Sequence, residues 1–253
     1  MLSVIVPVIV ATVAFAWWFR AGNRRARRTP EWSYSGPIEL VAWAIPALVV
    51  LFLGGIAWVS SHALDPYKPI ESPLPPVDVQ VVSLDWKWLF IYPALGVARV
   101  NRLVVPAGVP LRLRLTSASV MNSFFAPQLG SQIYTMAGMT TQLHLQADRP
   151  GVYPGFSAQF SGDGFSDMRF DVVALTPKAF TEWLVATRSV PAVLDTASYA
   201  CLARPGTSVA NAAFGSVAEG LFNTIAQGDI GEGTALMPMV SHAPVPASRA
   251  SPR

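Results

Sequence analysis

Cysteine is nearly absent from this 253-residue chain. Cys201 stands alone, which excludes an internal disulfide framework and any site built on two thiolates from this chain. Charge is scarce as well. Only 13% of the residues are charged and the mean hydropathy is +0.40, too apolar for an ordinary soluble protein, so a membrane segment is expected. There is no internal repeat, phosphate-binding loop, dinucleotide fingerprint or nucleophile elbow. The net charge of +3 and the isoelectric point near 9.2 do not indicate a nucleic-acid binder, because a large share of the basic residues lies in one run, Arg20 to Arg28, beside apolar sequence. The length leaves room for one membrane anchor and one medium-sized domain.

Two apolar runs predict two transmembrane helices within residues 1–63. The first, Leu2 to Phe19, carries Trp17 and Trp18 where an interfacial aromatic pair would sit. At ~1.5 Å per residue it barely crosses a ~30 Å hydrocarbon core. The second, Ile38 to Ser60, has Trp43 and Trp58 near its ends and Pro46 inside, which membrane helices tolerate where neighbours compensate. A cleaved signal peptide would carry its positive charge ahead of the apolar stretch. Here nothing charged precedes Leu2, and Arg20, Arg24, Arg25, Arg27 and Arg28 follow it. The positive-inside rule then puts the Arg loop in the cytoplasm, with the N-terminus and everything after Ser61 outside. The shortness of the first run suggests further residues upstream of Met1.

Residues 64–76 are rich in proline and read as a stiff extended linker. Beyond them the period becomes two. Val77, Val79 and Val81 alternate with polar residues, as do Leu111, Leu113 and Leu115 with Arg112 and Arg114; Leu143 and Leu145 flank His144, and Phe170 and Val172 flank Asp171. Alternation of this kind predicts half-buried strands, and turns at Pro106 to Gly108, Pro127 to Gly130 and Arg149 to Gly151 divide them. Many short strands predict an antiparallel sandwich over residues 77–175. From Thr176, an N-cap followed by Pro177, the period is helical, with Phe180, Trp183 and Leu184 on one face. A second helix is predicted from about Asn211 to Ala226, which makes 176–227 a short helical region. The tail 228–253, rich in Gly, Pro, Ser and Ala, is expected to be disordered. The fold class is therefore α+β: a membrane hairpin, a sandwich and a helical C-terminal segment.

Two segments carry the chemistry: Val120 to Ser131, reading VMNSFFAPQLGS, and Tyr153 to Met168, reading YPGFSAQFSGDGFSDM. Both resemble subunit II of the haem–copper respiratory oxidases, whose outer domain is cupredoxin-like. In the cytochrome c oxidase members, that resemblance implies a two-copper centre held by two histidines, two cysteines four apart and a methionine. On this chain the histidine positions fall at Asn122 and Phe165 and the cysteine positions at Ser157 and Ser161. The Glu between the cysteines falls at Gln159, and Met168 is retained. Bridging thiolates are what a soft, charge-sharing copper pair requires, and serine hydroxyls stay protonated and hard. Phe165 offers no lone pair. His62 at a helix end, His144 on the polar side of a strand and His242 in the tail stand elsewhere. No metal or other cofactor is expected in this chain.

The branch of that family lacking the copper centre, the ubiquinol oxidase subunit II of the cytochrome bo type, is similar across nearly the whole length. Supporting segments are Phe15 to Trp17, Thr29 to Ser35, His62 to Pro66, Val81 to Pro93 and Gly130 to Met139. The family's usual lipidated N-terminal cysteine is not among these residues. The resemblance implies a proton-pumping complex in a bacterial inner membrane that oxidises ubiquinol and reduces oxygen to water. Haems and copper would lie in partner subunit I, with smaller subunits III and IV alongside. It also implies that a Glu at the position of Glu39 admits protons to the catalytic subunit; by position alone Glu39 reads as a solvated interfacial carboxylate. Trp86, Trp88, Phe90 and Tyr92 are expected to fill one sheet face and to dock onto a neighbouring subunit. The rival readings are a copper-binding subunit II of a cytochrome c oxidase and a membrane-tethered assembly module. Cys201 reads as an ordinary small apolar residue.

Overall fold

The computed structural model describes residues 2–27, 31, 33–206 and 212–228. The chain divides into two units, Met1–His62 and Ala63–Arg253. In the first, helix α1 spans Leu2–Trp18 and helix α2 spans Gly36–Ala63. The 28 residues of α2 reach ~42 Å, ample for a bilayer, and α2 is the one described helix long and apolar enough to cross it. The 17 residues of α1 reach only ~25 Å. α2 starts earlier than its apolar run because Pro37 suits a first helical turn, where its missing N–H loses nothing.

The second unit is a two-sheet sandwich. Its strands are β1 Val77–Leu84, β2 Lys87–Tyr92, β3 Val97–Val100, β4 Arg102–Pro106, β5 Pro110–Ser117, β6 Asn122–Phe125, β7 Ile133–Thr135, β8 Thr141–Gln146, β9 Gly151–Ser157 and β10 Arg169–Leu175. After them come α3 Pro177–Arg188, β11 Val193–Leu194, α4 Thr196–Ala203, β12 Ala213–Phe214, β13 Ser216–Val217 and α5 Leu221–Gln227. One sheet has the order β12-β3-β2-β1-β5-β8 and the other β4-β10-β9-β6-β7. Most pairs are antiparallel, as the alternation predicts, but β1 runs parallel to β5 and β4 parallel to β10. Val79, Val81, Trp88, Phe90, Leu111, Leu113, Leu143, Phe124 and Phe170 fill the space between the sheets. The linker is more than a spacer, since the Pro66 carbonyl oxygen accepts from the His144 N–H at 3.1 Å on the edge strand β8.

The half-buried expectation holds for β5 and β8 but fails for β1, β2 and β3 of the first sheet. Its outer face carries a second core, in which Val82, Leu84, Leu89 and Ile91 meet Leu194, Tyr199, Leu202, Leu221, Phe222 and Ile225. β1 and β2 are apolar in both parities over these residues because both of their faces are covered. The C-terminal region supplies that cover, though not as the predicted helix from 211 to 226. Residues 213–214 and 216–217 are short strands, and only Leu221–Gln227 is helical. Gly215 sets this break: a Cβ there would lie 2.1 Å from the Val190 carbonyl oxygen, a contact only glycine permits. α4 was not foreseen. Its N-cap Asp195 accepts from the Ser198 N–H at 2.8 Å, and Thr176 caps α3 as predicted. Cys201 is exposed on α4. The expected disorder at 229–253 lies outside the described residues, as do His242, Arg28 and part of the Thr29 to Ser35 segment.

Candidate functional site

β6 and β9 are neighbours in the second sheet, and the loop between β9 and β10 folds back over their ends. That arrangement brings the positions singled out in the sequence together. Asn122 and Ser157 are buried, and the Ser157 hydroxyl shares its hydrogen between Asn122 Oδ1 and the Gln159 carbonyl oxygen, each at 3.2 Å. Asn122 Nδ2 donates to the Val120 carbonyl oxygen at 3.3 Å. The Ser161 hydroxyl points at the sulfur of Met168, 3.9 Å away, and Met168 is buried in the main core. Phe165, in the short 3₁₀ turn Phe165–Asp167, is half-buried and meets Phe160 edge-on at 5.6 Å.

Sequence reading missed how far this polar cluster extends. Ser83 on β1 and Thr135 on β7 lie 2.9 Å apart, and the Thr135 hydroxyl donates to the Asn122 carbonyl oxygen at 3.4 Å. A buried chain of hydrogen bonds therefore runs Ser83–Thr135–Asn122–Ser157 from one sheet to the other. Buried polar groups with partners are what a folded interior tolerates. The fit to a two-copper centre fails on chemistry. The donors present are one amide, two hydroxyls and one thioether, with no thiolate or imidazole, and they already satisfy one another.

The hairpin between β1 and β2 is pinned to the same loop. Trp86 occupies the left-handed region at φ 65°, unusual for a bulky residue, in the two-residue turn Asp85–Trp86. Its Nε1 donates to the Ser161 carbonyl oxygen at 3.0 Å, and its ring lies where a Cβ on Gly164 would come within 2.3 Å. The pair of glycines at 162 and 164 was the available signal for this close approach.

The docking expectation for the aromatics needs correction. Trp88, Phe90 and Tyr92 are wholly buried in the sandwich, where Trp88 packs edge-on against Phe124 and Phe170, so they offer no surface to another subunit. They do fill one sheet face. Alternation with Leu89 and Ile91 in the second core seals both sides of β2. Only Trp86 is half exposed. Lys87 is buried too: its Nζ donates to the Arg204 carbonyl oxygen at 2.6 Å, and burial lowers its pKa against the opposing pull of Asp85.

Glu39 belongs to the first unit, in the first turn of α2, with its N–H donating to the Ser35 carbonyl oxygen at 3.0 Å. Its side chain is exposed and, among the described residues, forms no ion pair. A carboxylate there suits the positive end of the helix dipole.

Residues 77–175 match the family described as cytochrome c oxidase subunit II, periplasmic domain. Cytochrome bo(3) ubiquinol oxidase subunit 2 of Pseudomonas aeruginosa is 50% identical over 225 residues, which cover 89% of this chain and 68% of that protein. Ubiquinol oxidase subunit 2 of Acetobacter aceti is 48% identical, covering 89% of this chain and 74% of the relative. Cytochrome bo(3) ubiquinol oxidase subunit 2 of Buchnera aphidicola is 44% identical, covering 89% and 79%.

Proposed function

The chain belongs to the subunit 2 family of ubiquinol oxidases, and we propose that it serves such a complex as a subunit without redox centres of its own. Electrons pass from ubiquinol to oxygen at haems and copper held by the catalytic subunit I. Smaller subunits III and IV complete the assembly. The observation that carries this reading is the donor set at Asn122, Ser157, Ser161, Phe165 and Met168, where a hydrogen-bonded cluster stands in place of thiolates and imidazoles. A scaffold that keeps the loop and the methionine yet cannot hold copper fits an electron donor that reaches the catalytic subunit through the membrane.

The same family and the helices support the membrane placement. α2 crosses the membrane, α1 pairs with it as a short span, the Arg segment between them faces the cytoplasm, and the sandwich is periplasmic. Glu39 then lies at the cytoplasmic end of α2, where it hands protons to the catalytic subunit. Its exposed carboxylate at the start of a membrane helix supports that role.

Metal analysis of the chain from Ala63 onward, refolded with excess copper and desalted, tests the non-redox assignment. The expected result is no retained copper. Stoichiometric retention, with the absorption of a thiolate-free copper site, would overturn it. Purification of the whole complex through a tag on this chain should bring down a haem-containing partner with many spans; a haem-free preparation would argue for a separate assembly module.

A further inference from the structure

The segment after α1 presents four exposed arginines, Arg20, Arg24, Arg25 and Arg27. The first carboxylate in the chain is Glu31, and among the described residues none of the four guanidiniums has an ion-pair partner. The segment is held in a defined turn. Asn23 Nδ2 donates to the Trp18 carbonyl oxygen at the end of α1 at 2.7 Å, and Asn23 Oδ1 accepts from the Arg25 N–H at 3.1 Å. The Asn23 N–H donates to the Arg20 carbonyl oxygen at 2.9 Å. The Arg20 guanidinium lies 4.6 Å over the ring of Trp17.

The backbone that carries the cations is thereby fastened next to the last turn of an apolar helix, near Trp17 and Trp18, residues of the type that settles at headgroup level. They are all arginine; the first lysine is Lys68. Lysine would serve as well for setting topology, but the planar guanidinium fork pairs with two oxygens of one phosphate. We propose that this turn is a binding site for anionic phospholipid headgroups, best served by a lipid with two phosphates such as cardiolipin. This rests on the membrane placement proposed above. A lipid is the favoured occupant over a soluble anion because its acyl chains stay against apolar side chains of α1 while its phosphates meet the guanidiniums. A soluble phosphate has only the charge to hold it.

The test uses the assembled complex in nanodiscs of phosphatidylcholine with a minor share of cardiolipin, followed by mild delipidation and counting of cardiolipin per haem by mass spectrometry. Replacing Arg24, Arg25 and Arg27 together by Gln should reduce retained cardiolipin by about threefold or more, with replacement by Lys giving an intermediate loss. Equal retention in the Gln variant at normal haem content overturns the proposal. So does release of cardiolipin from the unaltered complex by inorganic phosphate at fixed ionic strength, which would mark a plain anion site. Should the triple variant fail to insert, Arg25→Gln alone and a salt titration of the unaltered complex decide. Retention that does not weaken as salt shortens the screening length overturns the site. A haem-free preparation would count against the oxidase reading instead, so the two failures are distinguishable.

Discussion

Lys87 holds a basic amine at 1% exposure, with its Nζ 2.6 Å from the Arg204 carbonyl oxygen just past α4. A helix end of that polarity favours a cation, while burial opposes one. Burial wins: the pKa is lowered from 10.5, with Asp85 acting in the other direction. The folded chain therefore holds this proton less tightly than the unfolded chain. Stability is reduced while the buried amine is charged and rises as pH climbs through the lowered value toward 10.5. Tyr92 and Tyr199 act oppositely, because burial pushes both phenols up from 10.0 and their contribution is lost as pH passes above that value. Thermal denaturation of the chain should thus show a midpoint that rises in the alkaline range as Lys87 loses its proton and falls once the phenols begin to ionise. Lys87→Met should remove the rising limb; a limb that persists in that variant rejects the assignment. Glu39 is the other single residue with a testable role. Under the proposed function, Glu39→Gln should lower steady-state quinol oxidation severalfold at unchanged haem content, and an assembled variant with full turnover would sink that role.

The hairpin β1–β2 and the loop 158–168 act as one element beside the Asn122–Ser157 cluster. Trp86 has nowhere to retreat, since its backbone is left-handed and its Nε1 is committed to Ser161. Gly164→Ala would put a methyl 2.3 Å from its ring, and overpacking of this kind costs ~1–3 kcal/mol. Urea denaturation should register that loss; wild-type stability would show that the loop is free to move. Such an element was only partly legible beforehand. β5 and β8 could be read because Leu111, Leu113, Leu143 and Leu145 alternate strictly with polar residues. The gathering of Ser157, Ser161 and Met168 could be read because their spacing within Tyr153 to Met168 resembles a family pattern. The polar chain could not, since Ser83 and Thr135 are 52 residues apart and each alone is an ordinary strand residue. Nor could the strands at 213–217, whose apolar spacing suits a helix until Gly215 meets the Val190 carbonyl. The double burial of β2 was hidden for a related reason. Its second cover comes from α4 and α5, more than a hundred residues later, and the eight residues of α4 are too few to announce themselves by periodicity.

At the scale of the whole outer unit, the family match and the packing disagree about where the domain ends. The match stops at residue 175, and the strands of both main sheets other than β12 lie within it. A chain ending there would keep the core between the sheets. It would also leave Val82, Leu84, Leu89, Ile91, Ala98 and Val100 on an open face that α4 and α5 now cover. Each large aliphatic side chain returned to water forfeits ~1.5–3 kcal/mol, against a net stability of only ~5–15 kcal/mol for a whole domain. Loss of the C-terminal region is therefore expected to unfold or aggregate the sandwich. Phe222→Ala gives a graded version: Phe222 is buried in the second core and faces Arg114 at 5.3 Å, so its loss should cost ~3 kcal/mol or more. The comparison is between chains 63–175 and 63–228, measured by chemical denaturation and by light scattering. If the shorter chain stays monomeric with the midpoint of the longer one, the second core is a passenger. If it aggregates while Phe222→Ala shifts the midpoint of the longer chain, the folding unit of this subunit includes the region after 175, and variants there will act on the sandwich that carries the Asn122–Ser157 cluster.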